Sequence, residues 1–445
     1  MKQRVLYYHA TLLTGDVKRM LLPGGYVLIC GDRIVDVGAC ADDKLPQAEL
    51  RYDLAGQILM PGMISSHCHF YGQFVRGMPL SQPCNNWQQV LSRMWWKVDK
   101  ALDERQIYYS TLMGMIDGLK HGTTTYFDHQ ASPNCIDGSL DIIEKAMLLA
   151  GGRGCLAYEV TDRDGKERAQ KGIDENIRYI CKQQGENRRF KGIFGLHASY
   201  SLSDDTLSRS AEAGNRLNSG FHIHMAEAAA DVADCYKNYD MHVVERLSDY
   251  GILNDKTITA HNVHVRKSDM RRMAEAGITA AHNCQSNTNN AVGICPVTDL
   301  MDAGVKVALG GDGYTYDLFA ELGFASILQH IRTMDCTAFS GSQILDMAFT
   351  NNQRLAKQIF GYDVGILKPG AAADFLILDY DPPTPLTEGN VLSHMTSGFG
   401  SCVQTVVVNG EKVVENRKMT HLDEKEVYAA CRREAARLWD RVNTL

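Results

Sequence analysis

The pattern of hydrophobic and polar positions along this chain changes near Gly56. From there on, short apolar runs alternate with longer amphipathic stretches, which is the pattern of parallel strands joined by helical crossovers. Eight runs are predicted to be strands: 58–66, 123–128, 154–160, 192–197, 221–225, 257–261, 277–282 and 305–310. The predicted helices between them are 103–120, 139–150, 204–218, 240–250, 267–276 and 296–303. Eight such units predict an α/β fold with a (β/α)8 TIM-like barrel, whose chemistry occurs at the carboxyl ends of its strands.

The segments on either side of the predicted barrel have the pattern of short hairpins. Near the N-terminus, apolar runs at 27–30 and 34–38 flank a Gly31-Asp32 turn, and a second pair of runs surrounds Asn409-Gly410. Two short sheets that are distant in sequence each need a partner face, so we expect them to build one small β-sandwich domain. The expected division is 1–57 and 366–422 for the β-sandwich, 58–365 for the barrel, and 423–445 for a C-terminal helix that packs on the protein or contacts another subunit.

Polar residues of one chemical kind stand at the ends of several predicted strands. The first barrel strand leads into His67-Cys68-His69, and because side chains alternate along a strand, the two histidines point the same way and can hold one cation. Packing prefers apolar groups at strand ends, so a repeated pattern of this kind predicts a functional centre. The later strands end on His197 (the fourth), His224 (the fifth), His261 (the sixth), His282 (the seventh) and Asp312 (the eighth).

Three of these histidines and the aspartate have the composition of a catalytic metal site. Zinc and ferrous iron take imidazole and carboxylate ligands in proteins, and a catalytic site leaves one position open for water. We therefore expect His67, His69, His224 and Asp312 to bind a divalent cation, with zinc preferred over iron. Such an ion lowers the pKa of its water to about 7 and makes hydroxide available at neutral pH.

Three residues are candidates for handling the proton and the nucleophile. Glu227 lies three residues after His224, where it could accept the proton of the water and later deliver it to a leaving amine. The alternative interpretation is that Glu227 is a solvated residue at the start of a helix. The predicted metal ligands nearby favour the catalytic role instead. His261 could polarise a substrate carbonyl or hold the attacking hydroxide. Asp312 could accept the proton of the nucleophile in addition to binding the ion.

The composition excludes several other classes of function. The chain has 445 residues, 44% of them hydrophobic, and a net charge of −7, so it offers no basic surface for nucleic acid, and a small ligand fits better. We expect no membrane span and no signal peptide, because no apolar segment has the required length. The 13 cysteines form no close CxxC pairs and are expected to be reduced. We therefore expect a soluble cytoplasmic protein that forms a homo-oligomer.

These motifs together resemble the amidohydrolase superfamily, in its branch of nucleobase and adenosine-type deaminases and triazine hydrolases. The resemblance runs over essentially the whole chain and includes PGMISSHCHF, HIHMAE, TAHN and GGDG. It is closest to the SsnA-type aminohydrolases, through the pair Trp95-Trp96 and the runs DHQASP and SNTNN. The resemblance implies metal binding by His67, His69, His224 and Asp312, proton transfer by Glu227, and a nucleophile held by His261.

The chain also departs from the pattern of this branch. Many of its deaminases carry a glutamine five residues after the first motif histidine, where this chain has Gly72 with Gln73 beside it. The usual GTDG is GGDG here, which keeps the ligand but loses a neighbouring hydroxyl. Binuclear members bridge two ions with a carbamylated lysine at the end of strand four, and this chain has His197 there. We therefore expect a single ion.

The expected substrate is a small, planar nitrogen heterocycle or a cyclic amide. The predicted activity is metal-dependent hydrolysis of a carbon–nitrogen bond other than a peptide bond, with hydrolytic deamination preferred. The alternatives are ring opening of a cyclic amide, hydrolytic dehalogenation of a triazine-like ring, and a barrel that serves only as a scaffold. The residues predicted to contact the substrate are His197, Gln73, Trp95, His129 and Asn283.

Overall fold

The computed structural model of the protein describes residues 3–41, 44–185 and 189–445, and these residues contain eighteen strands. The strands are β1 Arg4–Leu13, β2 Leu21–Cys30, β3 Arg33–Ala39, β4 Leu50–Asp53, β5 Ile58–Pro61, β6 Met63–Cys68, β7 Thr123–Gln130, β8 Arg153–Tyr158, β9 Phe190–Gly192, β10 Phe194–Ala198, β11 Phe221–Met225, β12 Ile258–His261, β13 Thr279–His282, β14 Lys306–Leu309, β15 Phe375–Leu378, β16 Val403–Val408, β17 Glu411–Glu415 and β18 Lys418–Met419.

Helices follow most of the strands from β6 onwards. The α-helices are α1 Trp87–Val90, α2 Trp96–Ala101, α3 Glu104–Lys120, α4 Ser139–Ala150, α5 Lys166–Lys182, α6 Asp204–Arg216, α7 Ala229–Tyr239, α8 Val243–Asp249, α9 Lys267–Ala276, α10 Cys284–Asn289, α11 Val297–Asp302, α12 Leu318–Thr333, α13 Gly341–Leu345, α14 Asn352–Phe360, α15 Val391–Cys402 and α16 Glu424–Thr444. The six helices predicted from the pattern are all present, with ends within about three residues of the prediction, as is usual for helix boundaries. No helix in the described ranges is long and apolar enough to cross a bilayer.

Parallel strands form the predicted TIM-like barrel. Strands β6 to β9 pair in sequence order as one parallel group, and β10 to β14 pair as a second group. Only Ile193 separates β9 from β10, so together they are the fourth barrel strand. Two parallel bridges join the groups, Val160 with Leu196 and Cys68 with Asp312. The second bridge connects the first and last barrel strands and places the carboxyl ends of all eight around one opening.

The terminal segments share one nine-stranded sheet. Its order is β18-β17-β16-β15-β5-β1-β2-β3, with β4 paired to β1. One prediction was wrong here, because the run 58–66 is two strands: Ile58–Pro61 pairs with β1 and β15, and only Met63–Cys68 belongs to the barrel. The break falls at Gly62, where a Cβ would lie 2.1 Å from the hydroxyl of Thr124. Glycine therefore lets the chain pass from one sheet into the other.

Two contacts attach the terminal segments to the barrel. Arg153 on β8 forms a buried ion pair with Asp374, at 2.7 Å between Nε and Oδ2. The C-terminal helix α16 was predicted, and it packs beside α3, where Glu434 accepts hydrogen bonds from the side chains of Arg105 and Gln106. These contacts hold the barrel in a fixed relation to the sheet.

Candidate active site

The predicted metal ligands converge at the carboxyl end of the barrel. Nε2 of His69 lies 3.1 Å from Nε2 of His224, and Oδ1 of Asp312 lies 3.2 Å from Nε2 of His69 and 3.6 Å from Nε2 of His67. Ligand atoms about 2.0–2.1 Å from a tetrahedral ion are about 3.3 Å apart. These three separations are close to the value that one such ion requires, and they link all four predicted ligand atoms to one another.

Each of these histidines is oriented through its other ring nitrogen. Nδ1 of His67 lies 2.8 Å from Nε2 of His222, which precedes His224 by two residues on β11. Nδ1 of His69 lies 2.6 Å from the carbonyl oxygen of His129, and Nδ1 of His224 lies 3.0 Å from that of His197. With Nδ1 as the donor, Nε2 carries no proton and can bind a cation. Nε2 of His67 is buried without a hydrogen-bond partner in the described chain, which fits a ligand atom.

The protonation of the four groups suits a cation. Burial lowers the pKa of His67 and of His224, and burial together with the neighbouring His67 lowers the pKa of His69 to about 3. Burial alone would raise the pKa of Asp312, but the interaction with His67, 3.6 Å away, and with the other nearby histidines holds it well below its usual value. Neutral imidazoles and an ionised carboxylate are the forms that bind metals, so the site needs no change of protonation at neutral pH.

Glu227 reaches the centre because the chain turns sharply after β11. Ala226 has a φ of +49°, and its N–H donates a hydrogen bond of 2.9 Å to Oδ2 of Asp231 in the first turn of α7. Oε1 of Glu227 lies 4.0 Å from Nε2 of His261. Burial raises the pKa of Glu227 to about 7, so the carboxyl can both accept and release a proton at neutral pH.

His261 and Asp312 are held by the α10 segment, which follows β13. Nδ1 of His261 lies 2.8 Å from Oδ1 of Asn287, which directs Nε2 towards the site, 4.0 Å from Oδ2 of Asp312. The hydroxyl of Ser286 donates to the same Oδ2. Both His261 and Asp312 have a positive φ, +73° and +55°. Strained backbone of this kind persists where the surrounding structure enforces it, often at functional sites.

A cavity of about 470 Å³ opens beside the centre. Of the residues predicted to contact substrate, His197, Gln73 and Trp95 line the cavity, and Nε2 of Gln73 also donates to the hydroxyl of Tyr316 at 3.2 Å. The other two predicted residues, His129 and Asn283, are fully buried and are not among the residues that line the cavity, so their contact with substrate stays a prediction. His129 stacks on the ring of His222, and Asn283 lies beside Gly310 after β14.

Three polar residues of the cavity wall were missed from the sequence. Glu159 is buried, with Oε1 3.4 Å from Nδ1 of His69 and without a hydrogen bond in the described chain. Arg163 donates to Asp99 at 3.2 Å, and both line the cavity. Glu159 could have been found, since it stands at the end of the predicted strand 154–160. Asp99 lies in α2 and Arg163 lies in the loop after β8, so neither stands at the end of a predicted strand.

Comparison with known proteins agrees with this geometry. The model of the Amidohydrolase family matches residues 58–413, so the chain belongs to the amidohydrolase family. It is 30% identical to a 5-methylthioadenosine/S-adenosylhomocysteine deaminase of Pelotomaculum thermopropionicum, covering 98% of this chain and 99% of that protein. It is 28% identical to a 5'-deoxyadenosine deaminase of Methanosarcina mazei, covering 97% and 96%. The crystal structure of an adenosine deaminase from Xanthomonas campestris with bound zinc superimposes with a TM-score of 0.88, at 22% identity and 99% coverage of both chains.

These findings confirm the class of enzyme predicted from the sequence. The protein is a hydrolase of carbon–nitrogen bonds other than peptide bonds, and hydrolytic deamination is the activity that the comparisons support. Members of the family bind a divalent metal ion, and His67, His69, His224 and Asp312 all occur in the His-rich clusters of this chain that could hold one.

Proposed function

We propose that this protein hydrolytically deaminates a nucleoside related to adenosine at a single zinc ion held by His67, His69, His224 and Asp312. Three separations among their four ligand atoms carry the proposal: Nε2 of His69 lies 3.1 Å from Nε2 of His224, and Oδ1 of Asp312 lies 3.2 Å from Nε2 of His69 and 3.6 Å from Nε2 of His67. The names of the two relatives, both deaminases of modified adenosines, support the substrate class. When bound, the ion supplies an activated water at neutral pH.

Glu227 moves the proton in this proposal. It takes a proton from the attacking water and delivers it to the amino group that leaves as ammonia. Its pKa of about 7 matches this double role, because a carboxyl with that value exists in both forms at neutral pH. Nε2 of His261, 4.0 Å from both Glu227 and Asp312, is placed to hold the nucleophile in line with the ring carbon.

The substrate ring lies against the cavity wall formed by Trp95 and His197. Nδ1 of His197 lies 2.7 Å from the hydroxyl of Ser201, which leaves Nε2 for the substrate. Glu159 and Arg163 present further polar groups on the same wall. A planar ring with several nitrogen atoms offers a partner to Nε2 of His197, whereas an apolar ring would leave that atom without one at a cost of about 1–3 kcal/mol.

We also infer that the nine-stranded sheet forms a separate β-sandwich domain beside the barrel. A cluster of buried apolar side chains from both terminal segments, including Leu12, Val27, Ile34, Phe375 and Val407, supports this division. The segment before β15 also bridges back to Arg33 at the start of β3, which curls the sheet around that cluster. The boundaries predicted from sequence, 1–57 and 366–422, suit this domain, except that Ile58–Pro61 belongs to the sheet and not to the barrel.

The proposal is tested by measuring products from a panel of substrates with the zinc-loaded enzyme. The panel contains adenosine, 5'-deoxyadenosine, 5'-methylthioadenosine and S-adenosylhomocysteine, with guanine, a hydantoin and a chlorotriazine as representatives of other chemistry. We expect ammonia from at least one adenosine derivative. Chloride without ammonia would establish dehalogenation instead, and a ring-opened acid from the hydantoin alone would establish cyclic-amide hydrolysis.

A further inference from the structure

A second, smaller chamber adjoins the cavity beside Glu227. It has a volume of about 190 Å³ and shares Trp87, Leu91, Trp96 and Glu227 with the main cavity. Tyr200 and the first two turns of α7 complete its lining. The proposed deamination assigns no role to this space. A substituent on the substrate ring can extend past Glu227 into it.

Aromatic rings and carboxyl groups dominate the lining of this side chamber. The rings belong to Trp87, Trp96 and Tyr200, and Asp231 and Asp234 join Glu227 as acidic groups. No lysine or arginine is among the described residues that line it. The amino end of α7 adds partial positive charge, but both aspartates lie in its first two turns and offset that charge. A cleft lined by one sign of charge concentrates ions of the opposite sign.

The nearest cations are committed to other partners. The guanidinium of Arg163 lies over the ring of Trp96 at 5.3 Å and pairs with Asp99. Arg246 pairs with Asp204 at 2.8 Å and donates to backbone carbonyls. Neither arginine therefore fills the chamber or neutralises it by direct contact with its carboxyl groups.

Asp231 has an unused acceptor. One oxygen, Oδ2, accepts the hydrogen bond of Ala226, while Oδ1 is buried with no partner among the residues described. The residue is only 4% exposed. Burial raises the pKa of Asp231 to about 7, so this carboxyl exists in both forms at neutral pH, and a cation in the chamber would favour the ionised form.

We propose that the side chamber binds a cationic alkylammonium substituent of the substrate. This inference builds on the proposed deaminase function and specifies the substrate further: a nucleoside that carries a positively charged amine away from the reacting ring. The rings of Trp87, Trp96 and Tyr200 offer cation–π contacts, and Asp231 and Asp234 offer charge and hydrogen-bond acceptors. A neutral substituent of the same shape would leave Asp231 unpaired.

The first test measures binding without turnover. Choline and its uncharged isostere 3,3-dimethylbutan-1-ol are titrated calorimetrically into the full-length, zinc-loaded protein. We expect choline to bind about tenfold more tightly. The preference for choline should fall to about twofold in Asp234→Asn, which removes a charge, and in Trp87→Leu, which removes an aromatic ring. The control is Glu212→Gln, which changes an exposed glutamate of α6 and should keep the preference. Equal binding of the two ligands, or a preference unchanged in both chamber variants, overturns the inference.

The second test uses substrates. The ratio of kcat/KM for 5'-amino-5'-deoxyadenosine to that for 5'-deoxyadenosine should be about ten, mainly through KM, and should approach one in Asp234→Asn. If neither nucleoside is deaminated while choline remains preferred, the nucleoside proposal fails and the chamber assignment stands. If both are deaminated equally and choline is not preferred, the deaminase proposal stands and the chamber assignment fails.

Discussion

Replacement of Glu227 by Gln tests the proposed proton transfer most directly. The change keeps the shape of the side chain and removes its ability to ionise. Glu227 is not among the four ligand atoms, and Oε1 lies 4.0 Å from Nε2 of His261, so we expect the content of bound metal to stay unchanged. General acid–base catalysis contributes about 10²–10⁴-fold, and Glu227 is proposed to act in two successive transfers. We therefore expect kcat to fall by about 10³-fold or more, with a much smaller change in KM.

The pH dependence gives this prediction a second readout. Burial raises the pKa of Glu227 to about 7, and the ionised form is the base that accepts the first proton. The active fraction therefore falls as the pH falls: about nine tenths is ionised at pH 8 and about one tenth at pH 6. A bound cation favours the ionised form, so the acid limb of kcat/KM should lie at or below pH 7. The residual activity of Glu227→Gln should lack this limb.

The assay is release of ammonia by the zinc-loaded enzyme between pH 5 and 9, with metal content measured by mass spectrometry on the same samples. Glu212→Gln makes the same chemical change at an exposed position and should behave like the unmodified protein. Full activity in Glu227→Gln would remove this residue from the mechanism. Loss of metal together with activity would show that Glu227 supports the metal site instead.

Three further changes test other parts of the structure. Asp312→Asn removes the only anionic ligand of the proposed set, so bound zinc after dialysis should fall to well below one ion per chain, measured by mass spectrometry. Asn287→Ala removes the hydrogen bond of 2.8 Å that orients His261, and kcat should fall by about 10–100-fold with metal retained. Asp374→Ala removes the carboxylate that neutralises the buried Arg153 and should lower the free energy of unfolding in urea by about 3–5 kcal/mol.

Each of these changes has a result that would contradict its reasoning. A tightly bound, stoichiometric ion in Asp312→Asn would mean that Asp312 is not a ligand. Unchanged kcat in Asn287→Ala would mean that catalysis does not depend on the hydrogen bond by which Asn287 orients His261. The stability prediction is compared with Asp381→Ala, an exposed aspartate, and equal effects of the two substitutions would show that the buried pair is not important for the fold.

The barrel could be predicted because its signal is local. Each strand is a short apolar run, each crossover helix has a periodic apolar face, and both patterns depend on neighbouring residues only. The histidines could be assigned for a related reason: parallel strands of a barrel end on the same side, so polar residues at strand ends must lie close together. This is why His67, His224 and Asp312 were brought together correctly although they are far apart along the chain.

Other features depend on contacts between distant segments. The run 58–66 appears continuous in sequence, and only the pairing of Ile58–Pro61 with β1 and β15 assigns it to the terminal sheet. His129 is the next-to-last residue of β7, as His197 is of β10, yet His129 is fully buried against His222 whereas His197 lines the cavity. The depth at which a strand ends within the barrel decides this difference, and the stagger between strands sets that depth.

The sequence by itself determined the class of this protein, a hydrolase with a TIM-like barrel, and it predicted the three imidazoles, the carboxylate and the glutamate of the proposed metal site. Strand periodicity and ligand chemistry are properties of single segments, so they are readable from the chain alone. Only the tertiary structure decided which residues form the walls of the cavity, because Asp99 of α2 meets Glu159 and Arg163, which follow β8, only when the chain folds. The acidic side chamber beside α7 is likewise a product of packing, since its rings and carboxyl groups become neighbours only when the barrel closes.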